Sequence, residues 1–149
     1  MAYSPFLQEI LERLVTPRVN VLLPPAQNDL IGRLLSASDA DLTHRPHAGC
    51  LRSLLLLQAG EFERSHSIVQ EMTGSDAAYI HGMIHRTEGD YSNAKYWFRR
   101  AQRDLISGPE PAEAIQITDA VAKIGGRAPD ARVIQSLQAE FESVLRSLV

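Results

Sequence analysis

Three residues on one stretch carry the types and spacing that chemistry needs: His81, His85 and Glu88. A helix turns ~100° per residue, so His85 falls ~40° from His81 and Glu88 ~20° to the other side. The spacing predicts one narrow stripe holding two imidazoles and a carboxylate. His-x3-His lets one helix present two imidazoles to a metal ion, and Glu88 can add an oxygen. A histidine and a carboxylate one turn apart can instead exchange protons. The competing expectation is a buried polar network, with the imidazoles bonded to Tyr91, Asn93 or backbone carbonyls, because buried polar groups must find partners. One helix rarely completes a coordination shell. A metal ion here needs a further donor: Asp90, Tyr91, His66 or the loop holding His44 and His47. The reading leans to the network, so no metal and no cofactor is assigned.

Other polar residues gather nearby. Arg86 precedes Asp90 by four residues, close enough to pair at a helix end. Lys95, Arg99 and Arg103 repeat every four residues and read as a solvated basic stripe, with an acidic partner as the functional alternative. Trp97, the single tryptophan, reads as packing between helices. The single cysteine, Cys50, reads as a small buried hydrophobe. No Walker loop, GxSxG, HExxH or dinucleotide fingerprint is present.

The elements that must position these residues are helices. Ser4-Pro5 is an N-cap with proline in the first turn, followed by a stripe of Phe6, Ile10 and Leu14. Residues 18–23 read as irregular. Pro24-Pro25 is expected to open a second helix, and Ser38 to cap a short turn before Leu42. Helices follow over 47–59 and 62–72, with Gly60 between them. Two more run over 75–88 and from Asp90 to about 107, with Gly89 between them and Ser75 and Asp90 as caps. Gly108-Pro109-Glu110-Pro111 stops and restarts the chain. The last two helices cover 111–124 and 129–148, the final one with Ile134, Leu137, Phe141, Val144, Leu145 and Leu148 as its stripe. No alternating strand pattern and no Asn-Gly or Asp-Gly hairpin turn occurs.

Two stretches align with each other: LLLLQAGEFERSHSIVQEM (54–72) and GMIHRTEGDYSNAKYWFRRA (82–101). Gly60-Glu61-Phe62 matches Gly89-Asp90-Tyr91, Ser65 matches Ala94, Val69 matches Phe98, and Met72 matches Ala101. The glycine ends one helix, the aromatic plugs the hairpin, and the small residue lets two helices approach. This pattern resembles the tetratricopeptide repeat, with Gly82, Gly89, Tyr91, Ala94, Phe98 and Ala101 in the motif's register. The departures are a shorter spacing between the glycine turns, Arg52-Ser53 where an apolar and a small residue are expected, and a proline displaced to Pro109. The string HGMIHRTEGDYSNAKYWFRRA also resembles a signature of small uncharacterised proteins, which implies no activity or ligand. The tetratricopeptide resemblance implies antiparallel helical hairpins stacked as an array and a concave face that binds peptides. That face would carry Tyr79, Met83, Arg86 and Thr87, turned away from the hairpin partner.

With 149 residues, 44% apolar and 22% charged, the chain suits one globular domain with a core of its own. A net charge of −3 disfavours nucleic acid. The longest leucine run, Leu54–Leu57, is too short to span a bilayer, and a lone cysteine suits a reducing cytoplasm. The expectation is therefore an all-α domain over 1–149, with about seven or eight helices and a TPR-like core over about 47–107. Its expected function is a cytoplasmic binding or scaffold module for a protein or peptide. The alternative is a small-molecule or metal-binding protein, or an enzyme, centred on His81, His85 and Glu88. A homodimer through the apolar stripe of the final helix is the third reading.

Overall fold

The computed structural model describes residues 3–101 and 111–149. These residues form nine helices and no strand: α1 (Pro5–Arg13), α2 (Asn28–Ser36), α3 (Asp39–Leu42), α4 (Ala48–Ala59), α5 (Phe62–Gln70), α6 (Ser75–Thr87), α7 (Tyr91–Arg100), α8 (Pro111–Ile124) and α9 (Ala131–Leu148). The all-α class holds, and the four-residue α3 brings the count above the expected seven or eight. The expected extension of the α7 helix to about 107 and the stop at 108–110 lie outside the described residues. Among the described residues, no helix is long and apolar enough to cross a membrane.

The caps explain most boundaries. The Ser4 hydroxyl accepts from the Leu7 N–H at 3.0 Å and starts α1. Ser38 and Asp41 bond reciprocally to each other's backbone and start α3 as a capping box. Asp90 caps α7 through the Asn93 N–H, and Asp130 caps α9 through the Val133 N–H at 2.9 Å. Two expectations are corrected. Pro24-Pro25 does not open α2, because the Gln27 N–H is bonded to the Ala59 carbonyl at 2.8 Å, and the helix starts after it. Ser75 is the first residue of α6, and Gly74 takes the cap position with no side-chain bond.

The irregular segment between α1 and α2 is held by polar contacts to α4. Arg18 is buried, its backbone N–H donates to Gln58 Oε1 at 2.8 Å, and its Nε donates to the Gln58 carbonyl at 3.1 Å.

Two helical hairpins, α4–α5 and α6–α7, turn at Gly60 (φ 101°) and Gly89 (φ 86°), a backbone region that favours glycine. The small residues sit where close helix contacts need them. Ser65 and Ala94 are fully buried. The Ser53 and Ser65 hydroxyls each donate to the other residue's carbonyl at 2.8 Å, so Ser53 supplies the small side chain of the first hairpin. A Cβ on Gly82 would lie 2.7 Å from the Phe98 ring, so α6 and α7 touch through a glycine. One apolar cluster runs from α1 to α9 and takes in Leu7, Leu34, Leu54, Ile84, Phe98 and Phe141. A smaller one joins Val19, Val121, Val133 and Leu137. The stripe of α9 is spent on this core: Phe141, Val144, Leu145 and Leu148 are buried within the chain. It offers no exposed face to a second copy, which removes the observation that the dimer reading called for.

Candidate functional site

Helix α6 presents chemistry on two opposite faces. One face carries Tyr79, Met83, Arg86 and Thr87, the residues expected to line an open concave surface. They are not open: all four are buried. Helix α9 packs on α4 and α8, and from it Glu140 reaches two of the four. Glu140 accepts from Tyr79 Oη at 2.7 Å and from Arg86 Nη1 at 3.1 Å, and a second, shorter bond joins its Oε1 to Arg86 Nη2. The pair is almost fully removed from water, with 4% of Arg86 and 1% of Glu140 exposed. Burial alone would lower the Arg86 pKa, but the Glu140 charge and hydrogen bonds outweigh it, and the net shift is upward. The Arg86 guanidinium carbon also lies 5.4 Å from the centre of the Phe98 ring. The expected Arg86–Asp90 pair is therefore replaced by Arg86–Glu140, and Asp90 serves as a cap instead.

The other face of α6 carries His81 and His85. Between them and the neighbouring helices stand His66 from α5 and Asn93 and Trp97 from α7. His81 Nε2 and His66 Nε2 are 2.8 Å apart, one donating and the other accepting. The Trp97 ring stacks on His81 with centroids 3.9 Å apart and planes 12° from parallel. His85 lies parallel to His81 at 4.9 Å, and its Nε2 meets the Asn93 amide at 3.3 Å. The other His85 nitrogen, Nδ1, is buried without a partner. Burial, with His66 and His85 alongside, pushes the His81 pKa down to about 4. Burial lowers that of His85 too, against the pull of Glu88. Both rings are thus neutral near pH 7.

Among the described residues, His66, His81 and His85 form the group whose nitrogen atoms converge, all within 4.8 Å of one another. Glu88 is not part of it. Helix α6 ends at Thr87, and Glu88 at its C-cap is exposed. Of the other donors considered, His44 is exposed and His47 stands 4.0 Å from Asp76, away from the group. The basic stripe is also split: Lys95 pairs with Asp119 of α8, Arg99 is exposed, and Arg103 lies outside the described residues. Cys50 is buried, and burial raises its pKa to about 11, so it remains a protonated thiol.

Sequence reasoning missed Glu140. The signal was present: it stands three residues after Leu137 and four before Val144, a charge inside an apolar stripe. Periodicity marks such a residue as buried but does not name its partner on another helix.

Against this geometry, comparison with family models, curated proteins and solved structures finds no match.

Proposed function

We propose that this chain is a helical-hairpin interaction module whose α6 wall receives an amphipathic helix bearing a carboxylate within its apolar stripe. The observation behind the reading is the clasp of Arg86 and Tyr79 on Glu140. An arginine buried in an apolar wall costs stability unless a carboxylate meets it, so the wall discriminates in favour of an acidic helix. Here α9 of the same chain fills that role. A partner would use the same contacts, with Glu140, Phe141 and Val144 as the template of its stripe. In this reading α9 is an intramolecular occupant that an outside helix must displace.

The test is a fluorescence-anisotropy titration with a labelled peptide of residues 130–149, added to the full chain and to its Glu140→Gln variant. The variant keeps the size of the side chain and removes its charge, which loosens the intramolecular fit. The expected result is peptide binding to the variant, weaker binding to the parent, and loss of binding when the peptide itself carries Glu140→Ala. If the variant is folded by circular dichroism and binds no peptide, the wall is ordinary core.

A further inference from the structure

We propose that His66, His81 and His85 form a binding site for a late first-row divalent cation, of the class of zinc, nickel and copper(II). The site lies on the face of α6 away from α9 and does not depend on the interaction reading.

The donor set comes first. Three imidazoles from two helices each bring one nitrogen within 4.8 Å of the others, and among the described residues no carboxylate or thiolate joins them. Nitrogen-only donors favour borderline cations over magnesium or calcium, which take oxygen. Two histidines one turn apart on α6 supply one side, and His66 on α5 closes the other. To bind an ion the His66–His81 hydrogen bond opens and the donor ring passes its Nε2 proton to solvent and takes one up on Nδ1, so that both Nε2 atoms offer a lone pair.

The surroundings fit that role. A metal-bound histidine commonly uses its second ring nitrogen to bond a neighbouring polar group, which fixes its tautomer. In the structure the Asn93 amide nitrogen donates to His85 Nε2 at 3.3 Å, which leaves the neutral ring's proton on Nδ1, the buried nitrogen without a partner. Turning the amide over lets its oxygen accept from Nε2–H and frees an Nδ1 lone pair for an ion. A buried polar atom left unsatisfied costs stability, and a cation would satisfy it. Trp97, flat against His81, holds that ring in one orientation. His66 and His85 are only partly buried, so an ion has access from solvent.

The experiment uses the full chain, freed of metal with chelator and dialysed at neutral pH. Zinc, nickel and copper(II) chlorides are titrated by calorimetry, with magnesium chloride as the comparison. Emission of Trp97, the single tryptophan, is followed in parallel, because copper(II) and nickel ions quench a nearby indole. We expect one ion per chain at micromolar affinity or tighter, quenching of Trp97 with the same midpoint, and no heat with magnesium. His66→Ala and His85→Gln should each abolish the binding. Asn93→Ala should weaken it ~10–100-fold. Glu88→Ala should leave it unchanged, which separates this site from the single-helix triad of His81, His85 and Glu88. Should one histidine variant fail to fold by circular dichroism, the other still decides. Absence of binding to the parent overturns the proposal. So does binding that survives in a folded histidine variant, which would move the ion to His44 and His47, or copper(II) or nickel binding heat without Trp97 quenching.

Discussion

Gly82 is the residue on which the second hairpin turns. Its missing side chain leaves the space that Phe98 fills, and an added Cβ would come within 2.7 Å of that ring. Phe98 is fully buried and touches Tyr79 at 5.0 Å between centroids, so it has little room to retreat. Gly82→Ala gains helix propensity but overpacks the contact, and the second effect should win, with a net loss of ~1–3 kcal/mol. Urea unfolding of the variant beside the parent reads this directly. At the same scale, His81 and His85 were legible as neighbours, because spacing within one helix fixes relative direction. His66 was legible only as one of several candidate donors. Its place beside His81 is set by how α5 crosses α6, and no local pattern encodes that crossing. Glu88 keeps the register of that stripe, its N–H bonded to the Ile84 carbonyl, but it stands exposed at the end of α6 and outside the group of three imidazoles.

Among elements, the helices and their hairpin glycines were largely readable, since caps and apolar stripes are short-range signals. The misreadings fall where a distant contact decides. Gln27 gives its N–H to Ala59, and that bond delays α2 past the diproline. The apolar stripe of α9 was readable from Leu137 to Leu148, with Val133 rather than Ile134 as its first buried residue. What was not visible is that it carries the counter-charge for Arg86 on α6. The clasp sets a clear energetic order for variants. Glu140→Ala leaves a guanidinium buried and unpaired and should cost ~3–5 kcal/mol. Glu140→Gln keeps one acceptor oxygen, enough for Tyr79 and Arg86 Nη1, and should cost less. Replacing both partners, Glu140→Leu with Arg86→Met, should recover most of the loss, because an apolar pair of similar volume needs no compensation. Thermal or urea unfolding of the four proteins checks the order. A Glu140→Ala variant as stable as the parent would show that the pair contributes nothing.

At the level of the whole molecule, one continuous apolar cluster links the first helix to the last. Local opening of so joined a core is costly, so groups at its centre should reach solvent through global unfolding. Cys50 tests this with a defined sign. Its folded pKa is raised to about 11 from an ordinary 9.0, by burial first and by the Asp76 charge second. Between these values the unfolded thiol has lost its proton while the folded one keeps it. The stabilising contribution is therefore complete below pH 9 and is lost as pH rises toward 11. The difference in unfolding free energy between the parent and Cys50→Ala should shrink or reverse across that window, measured by urea unfolding at successive pH values. A difference that stays flat would mean the thiol meets water in the native state.

The clasp also has a consequence for how the chain comes into being. Arg86 and its carboxylate are separated by 54 residues. Ribosomes add ~5–20 residues per second, so Arg86 precedes Glu140 by roughly 3–11 s of synthesis. Through that interval Tyr79 and Arg86 lack the carboxylate that meets them in the finished chain. A hydrated guanidinium in the middle of an unfinished core opposes premature collapse there. The same charge that is expensive to bury in the finished protein thus costs the half-made one any early burial of Arg86 until α9 emerges.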